Sequence, residues 1–153
     1  MSTRVCSHYI QTEKKTIRII TKSKYNSHTD PLFKKLNLLK VKDIFKIQSL
    51  KFYYNYSHNK LPEYFRDMFR ITNQVHNYPT RGANSLYIST VRCTNTLRSL
   101  RLNIPNIINS LPNSVTDRIQ SFSIATVKLH ARKFLLDKYA SNCTRTHCYV
   151  CQT

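Results

Sequence analysis

Four side chains of the kind that bind zinc lie close together near the C-terminal end of the chain. Cys143, His147, Cys148 and Cys151 form the pattern C-x3-H-C-x2-C. The thiolates of Cys148 and Cys151, separated by two residues, can chelate one zinc ion in a tight knuckle. The adjacent His147 and Cys148, however, can hardly both bind with good geometry. Three alternatives stay open: a complete zinc site, part of a zinc site whose missing ligand lies downstream, and a cysteine-rich tail without metal. The sequence suggests no other cofactor.

The carboxylates of the chain are too few and too scattered for metal-dependent catalysis. Phosphoryl or nucleotidyl transfer needs several carboxylates that converge on divalent ions. The seven acidic residues, none adjacent to another in sequence, are Glu13, Asp30, Asp43, Glu63, Asp67, Asp117 and Asp137. Each is explained more simply as a helix cap or as the intrahelical partner of a nearby Lys or Arg. A Walker-type phosphate loop is excluded because the chain has one glycine. We predict that the chain alone is not an enzyme.

Cations greatly outnumber anions. The chain has 25 Lys and Arg residues and a formal net charge of +18, which a polyanion neutralises most easily. We therefore predict RNA and/or DNA as the partner, and neither a membrane nor a small-molecule substrate. The candidate nucleic-acid-binding residues are Arg18, Lys22, Lys24, Tyr53, Arg81, Arg92, Arg98, Arg101, Lys128, Arg132 and Lys133. The alternative is incidental basicity, because an AT-rich coding sequence also produces a chain rich in Lys, Asn, Ile and Tyr.

Two segments offer specific contacts to nucleic acid, and each has a plainer interpretation. Arg81 and Gly82, the only glycine, can present a guanidinium and free amides to a phosphate on a turn. The same turn is equally well a plain connection in which glycine supplies a positive φ. In the segment LKFYYNYSHNK at 50–60, tyrosines can stack on bases, but Tyr54 and Tyr56 fit the core better. Tyr53 is the ring that we expect to be exposed.

Helical periodicity predicts most of the elements that position these residues. Residues from Tyr9 to Thr21 predict a short amphipathic helix with a basic face. The segment from Pro31 through Tyr56 predicts one long helix whose apolar stripe is so wide that it should lie in the middle of the fold. A short helix should start at Leu61-Pro62-Glu63. The last helix should run from about Ser121 to Tyr139, with Ser121 or Ser123 as its N-cap.

The region after residue 73 has a different character. NQVHNYPTRGANS at 73–85 is polar and predicts a loop. LYISTV at 86–91 and LRSLRL at 97–102 alternate apolar and polar residues, which predicts a β-hairpin. The stretch NIPNIINSLPNSV at 103–115 should be extended or short-helical. The predicted fold class is mainly α, a small helical domain with a short β-hairpin after the central loop.

The sequence also bears on the compartment. No run approaches the roughly 18 apolar residues of a spanning helix, and the N-terminus has no apolar core like that of a signal peptide. Five cysteines, an odd number, favour a reducing compartment over a disulfide framework. We therefore expect the protein in the cytoplasm, in the nucleus or in both.

Several segments in the same chain order resemble one family. The chain is similar to the C-terminal region, past the catalytic palm, of non-LTR (LINE-type, jockey-like) retrotransposon reverse transcriptases. The matching pieces are EKKTIRII at 13–20, SHTDPLFKKLNLLKVKDIFKIQSLKF at 27–52, LPEYF at 61–65, HNYPTR at 76–81, NSLP at 109–112 and VKLHARKFLLDKY at 127–139. Their collinear order makes the match specific, although each piece alone is weak.

The chain departs from the family pattern at informative positions. His76, Tyr78, Thr80 and Arg81 match a family stretch, but Ile108 replaces the family's tryptophan. Such a loss suggests drift in a degenerate copy. Residues 1–12 match poorly and suggest a new start codon in a fragment, while 13–140 resemble a single helical post-thumb module and 141–153 form the Cys/His-rich tail.

The resemblance implies a limited function. The catalytic aspartates of the polymerase belong to the fingers and palm upstream, which this segment does not include. The matching region of such enzymes is expected to hold template RNA or target DNA. We predict a non-catalytic, nucleic-acid-binding C-terminal fragment of a LINE-type RNA-directed DNA polymerase. The alternatives are an inert or structural helical domain with incidental basicity, and a zinc-stapled tail that binds a protein partner.

Overall fold

A computed structural model describes residues 3–76, 82–90 and 99–141, with side chains at 8–76, 82–90 and 99–139. The described residues are mainly helical, which confirms the predicted class. The chain divides into two compact units, the first formed by residues 1–45 and 130–153 and the second by residues 46–129.

The described helices and one 3-10 turn follow one another along the chain. In chain order they are α1 (Thr3–Ile20), α2 (Thr29–Lys35), α3 (Val41–Ser57), a 3-10 turn (Glu63–Phe65), α4 (Thr72–Val75), α5 (Leu100–Asn109), α6 (Asn113–Thr116), α7 (Arg118–Ser121) and α8 (Ile124–Ser141). Among these helices, none combines the length and the apolar character that a membrane crossing needs. The predicted N-terminal helix and the last helix are present, whereas the short helix predicted at Leu61-Pro62-Glu63 is only a 3-10 turn over Glu63–Phe65.

The first unit is built around a small apolar cluster. Ile17 of α1, Leu32 and Phe33 of α2 and Tyr139 of α8 are buried together, and the Phe33 and Tyr139 rings meet edge to face at 6.4 Å. Ile17 lies on the inward face of α1. The opposite face of α1 is solvent-exposed and carries lysines, so burial fixes which side of this helix is basic.

Three helices of this glycine-poor chain end on non-glycine residues in the left-handed conformation. Lys22, Asn37 and Asn59 follow α1, α2 and α3 with φ values of 51°, 53° and 53°. After α1, the Ser23 N–H donates to the Arg18 carbonyl at 2.9 Å and the Lys22 N–H to the Ile19 carbonyl at 3.1 Å. This pair of hydrogen bonds is the Schellman motif, which usually has glycine at the left-handed position.

Replacing Lys22 by glycine should stabilise the protein by about 0.5–1 kcal/mol. A left-handed residue with a Cβ is strained by roughly 1–2 kcal/mol, and the flexibility of glycine in the unfolded chain offsets part of the gain. Urea unfolding monitored by circular dichroism measures the change. Lys22→Ala is the matched control, because it removes the same charge but keeps the Cβ. Equal stability of the two variants would contradict the strain argument.

The predicted long helix from Pro31 through Tyr56 is wrong, because the structure divides it into α2 and α3. Asn37 ends α2 in the left-handed conformation, with the Leu38 N–H donating to the Phe33 carbonyl at 2.9 Å. The apolar stripe predicted for the long helix also differs from the face of α3 that is buried. Val41 and Phe45 are about half exposed, whereas Leu50 and Tyr54 are buried. Apolar residues lie on most sides of α3, so the sequence pattern did not select the inward face.

The β-hairpin is not supported. The second predicted strand, 97–102, contributes Leu100 to Leu102 to the first turn of α5, and within the described residues the only β-pairing is an isolated antiparallel bridge between Ile71 and Leu86. Leu102, Pro105 and Ile108 are buried at three-residue intervals on α5. This helical spacing extends over seven of the ten residues of α5 and outweighs a short alternation at its N-terminal end.

Asn109 attaches the extended segment around Leu86 to α5. The Leu86 N–H donates to Asn109 Oδ1 at 3.0 Å, and Asn109 Nδ2 donates to the Leu86 carbonyl at 2.9 Å. The amide therefore satisfies both backbone groups of a buried residue, as a paired strand would. This contact fixes a segment that has little other regular structure.

Asn109→Asp should lower the free energy of unfolding by about 1 kcal/mol. The carboxylate still accepts from the Leu86 N–H, but the Leu86 carbonyl then faces an acceptor instead of a donor. Thermal unfolding at neutral pH measures the loss. Asn84→Asp, at an exposed turn residue of the same unit, adds the same charge without touching this contact, and an equal effect of both variants would contradict the assignment.

Two further local predictions have clear outcomes. Ser123 is the N-cap of α8, since its hydroxyl accepts from the Thr126 N–H at 3.4 Å and its carbonyl from the Val127 N–H at 3.1 Å. Gly82, in contrast, does not have a positive φ, and a Cβ built there would come no closer than 3.6 Å to Ser85. The interpretation of Gly82 as a positive-φ glycine is therefore wrong.

Candidate nucleic-acid interface

An open groove, whose lining surface is mainly apolar but to which three cationic residues contribute, lies at the C-terminal end of α1 in the first unit. Its lining residues are Lys15, Arg18, Ile19, Lys22, Ser23 and Tyr25, and its volume is about 610 Å³. Lys15 and Arg18 are three residues apart and lie on one side of α1, and Lys22 lines the same groove from the turn that ends the helix. The lining has three cations and no carboxylate. We refer to this feature as the α1 groove.

Arg18 is held in place by the turn that follows α1. Its Nε donates to the Ser27 carbonyl at 3.0 Å, and its Cζ lies 5.9 Å from the centroid of the Tyr25 ring. The first contact restrains the planar guanidinium, and the second is within the range of a cation–π interaction. A restrained guanidinium loses less conformational freedom when it binds a phosphate than a free one.

Tyr25 projects from the corner of a tight turn. The Ser27 N–H donates to the Lys24 carbonyl at 3.0 Å, so that Tyr25 is the second residue of a four-residue turn. Its side chain is 81 % exposed, although a tyrosine ring usually buries part of its apolar surface. Neither Tyr25 nor Lys15 was among the nucleic-acid-binding residues predicted from the sequence. The signal for Lys15 was available in its spacing from Arg18, whereas the exposure of Tyr25 depends on the turn.

Lys22 is positioned by backbone and side-chain contacts around the end of α1. Besides the two Schellman hydrogen bonds, the Thr21 hydroxyl lies 2.8 Å from the Ser23 hydroxyl and donates to the Ile17 carbonyl at 2.8 Å. These contacts fix the direction of the chain at Lys22. The ammonium group itself belongs to an exposed side chain and can move to meet a phosphate.

Carboxylates of the first unit are used elsewhere, at the N-terminus of α3. Glu13 Oε1 accepts from the Val41 N–H at 2.7 Å, while the Lys40 N–H donates to the Tyr139 hydroxyl at 3.0 Å. The Tyr139 hydroxyl in turn donates to Asp43 Oδ2 at 2.5 Å. The first N–H groups of a helix lack intrahelical partners and attract negative charge. Glu13 and Asp43 are therefore explained by the structure of this helix end.

The other acidic residues with assigned partners also serve the fold. Asp30 pairs with Lys40 at 2.7 Å, Glu63 with Arg66 at 3.1 Å and Asp137 with Lys34 at 3.7 Å. Across the described residues, no group of three His, Cys, Asp or Glu side chains could hold a metal ion. The positive field of the α1 groove is thus not reduced by a lining carboxylate.

The remaining predicted residues of the first unit differ in their roles. Lys24 is exposed in the turn before Tyr25. Arg132 donates from Nη2 to the Asn37 carbonyl at 2.6 Å, next to the end of α2, and therefore has a structural contact. Lys133 is exposed on α8. Arg18 and Lys22 are the predicted cations that the structure brings together, in the α1 groove.

Tyr53 lies in the second unit and is half-buried instead of exposed. Its ring stacks on Tyr56 at 6.1 Å and meets Phe69 edge to face at 5.9 Å. Burial raises the pKa of the Tyr53 hydroxyl, and the nearby Tyr56 adds to this shift. The ring is less open to a base than predicted because it packs into an aromatic cluster. Its role in stacking stays a prediction.

Other predicted residues are dispersed or lie outside the described part of the chain. In the second unit, Arg101 is exposed on α5 and Lys128 is half-buried on α8. Outside the described residues lie Arg81, Arg92, Arg98, Cys143, His147, Cys148 and Cys151. The phosphate-contact loop at Arg81 and the zinc site therefore stay predictions.

The second unit has a groove of different chemistry. It is lined by side chains and backbone of Tyr53, Ala83, Asn84, Ser85, Leu86, Ile108, Asn109, Leu111, Asn113, Thr116, Asp117, Ile119 and Gln120. Amides and hydroxyls dominate, and the single charged lining residue is Asp117. Because Asn109 already binds the Leu86 backbone, this groove is less suited to a polyanion than the α1 groove.

No protein-family model, no curated protein and no solved structure matches the chain. The resemblance to LINE-type reverse transcriptases therefore depends on the sequence segments alone.

Proposed function

We propose that this chain binds nucleic acid without catalysing a reaction, and that the α1 groove is its principal contact with phosphate. The observation that carries the proposal is the composition of the groove. Three cations line it without a carboxylate, in a chain of net charge +18. Lys and Arg side chains that neutralise phosphates supply most of the affinity of sequence-independent nucleic-acid binding.

The wider role that we propose is that of a C-terminal, non-catalytic part of a LINE-type RNA-directed DNA polymerase. The collinear sequence segments support it. The use of Glu13 and Asp43 at the N-terminus of α3 agrees with a region that contributes no metal ligands. In this role the chain would hold template RNA or target DNA while the palm upstream performs the chemistry.

Salt-dependent binding tests the proposal. Fluorescence anisotropy of labelled RNA and DNA oligonucleotides should give affinities that fall as salt rises from ~50 to ~200 mM. A double-logarithmic slope of about −2 to −3 is expected if the three groove cations contact phosphates. An inert domain whose basicity is incidental should show weak, non-saturable binding, and that result would contradict the proposal.

A further inference from the structure

Tyr25 is unusual because it combines high exposure with a cationic setting. Its ring is 81 % exposed at the corner of the turn from Lys24 to Ser27 and lies beside the Arg18 guanidinium. Binding of phosphates alone does not require an aromatic ring at this position. An open ring flanked by cations is the arrangement by which proteins bind unpaired nucleotides, because the ring stacks on a base while the cations contact the backbone.

We infer that the α1 groove binds single-stranded nucleic acid in preference to duplex, with one unpaired base stacked on Tyr25. The inference deepens the proposed function and depends on it. In a duplex the base faces are covered by their neighbours, so Tyr25 would contribute little and only the phosphates would be bound. In a single strand the base face is available to the ring.

The positions of the cations agree with one strand passing along the groove. Lys15 and Arg18 are separated by three residues of α1, which is about 4.5 Å along the helix axis at about 1.5 Å per residue, and Lys22 lies in the turn beyond the end of the helix. The two lysines can therefore contact neighbouring phosphates of one strand. Arg18 lies between them and is fixed to the Ser27 carbonyl, so its guanidinium keeps its place beside the ring where the base would stack.

Ile19 also lines the groove and is 76 % exposed. An exposed isoleucine beside a tyrosine is compatible with a protein partner as well. The three cations that line the same groove favour a nucleotide, because a base combines an apolar face with a neighbouring negative charge. A stacked base would cover part of the apolar surface of Ile19 and Tyr25 together.

The chain has no tryptophan, so Tyr25→Trp introduces a single fluorescent reporter at the proposed stacking position. Single-stranded RNA or DNA should quench this fluorescence strongly, since a stacked base quenches indole emission. A duplex of the same sequence should quench it weakly. Tyr64→Trp is the control, because Tyr64 is 92 % exposed in the other unit and does not line the α1 groove.

Affinity measurements on unlabelled variants complete the test. Tyr25→Ala should lose about tenfold in affinity for a single strand and little for a duplex, while Tyr25→Phe should retain both. Tyr64→Ala should change neither. Salt-dependent binding that is equal for single strand and duplex and insensitive to Tyr25 would overturn this inference and leave the proposed function intact. Absence of nucleic-acid binding, or quenching only by a protein partner, would overturn both.

Discussion

Replacing both Lys15 and Lys22 by glutamine is expected to lower the affinity for nucleic acid about 30-fold at ~100 mM salt. Each phosphate contact releases counterions and contributes about 0.7–0.9 to the salt slope, which corresponds to roughly five- to eightfold in affinity at this salt concentration. The double variant should therefore also have a salt slope smaller in magnitude by about 1.5. Both lysines are exposed, so the fold should be unaffected, and circular dichroism checks this point.

The matched control is Lys35→Gln with Lys42→Gln. These two exposed lysines belong to the same unit but do not line the α1 groove. Their replacement lowers the net charge by the same amount, two. If binding depends on the groove, the control pair of substitutions should lower the affinity for nucleic acid only a few-fold, because it weakens only the long-range electrostatic attraction of the whole protein. Equal losses from both pairs would mean that binding is governed by net charge and that the α1 groove is not the site.

Tyr139→Phe is expected to destabilise the protein by about 2–3 kcal/mol, the largest effect that we expect from removing a single atom. The Tyr139 side chain is 4 % exposed and Asp43 is 6 % exposed. The hydroxyl donates to the Asp43 carboxylate and accepts from the Lys40 N–H. Its removal takes one hydrogen bond from the buried Asp43 side chain and the acceptor from the Lys40 N–H, which directly precedes α3, and the loss of hydrogen bonds at buried polar groups is costly.

The stability difference between the wild type and Tyr139→Phe should also depend on pH in the alkaline range. Burial, followed by the hydrogen bond to Asp43, raises the pKa of Tyr139 well above its ordinary value near 10. A raised pKa means that the folded state binds this proton more tightly than the unfolded state. The contribution of the hydroxyl to stability is therefore complete below about pH 10 and is lost as pH rises further. Lysine titration affects both proteins and cancels in their difference.

Chemical unfolding of the wild type and of Tyr139→Phe between pH 7 and pH 11 measures both effects. The difference in free energy of unfolding should be constant up to about pH 9 and should shrink above pH 10. Tyr64→Phe is the control, because its ring is 92 % exposed and its replacement should be close to neutral at every pH. A difference for Tyr139→Phe that stays constant up to pH 11 would contradict the assigned role of the hydroxyl.

Features that depend on neighbouring residues in the chain were predictable. The Ser123 cap acts on a helix that starts at the next residue, and the 3.6-residue period of α1 extends over several turns. The excess of cations follows from composition alone. These properties involve contacts over a few positions, for which the intrinsic preferences of the residues decide the outcome.

Features that depend on distant partners were not predictable. The break between α2 and α3 depends on Asn37, whose carbonyl binds Arg132 from α8. The first turn of α3 is completed by Glu13 and by Tyr139, which lie far away in sequence. For α5, burial of Leu102, Pro105 and Ile108 outweighed an alternating pattern at its start.

The sequence by itself determined that this protein is helical and strongly basic, because both properties add up from single residues and local periodicity. Only the tertiary structure decided where the charge acts. It directed Glu13 and Asp43 to the N-terminus of α3 and left Lys15, Arg18 and Lys22 beside an exposed Tyr25. The physical reason is that electrostatic balance and ring exposure depend on distances in space, which a chain acquires only when its helices pack.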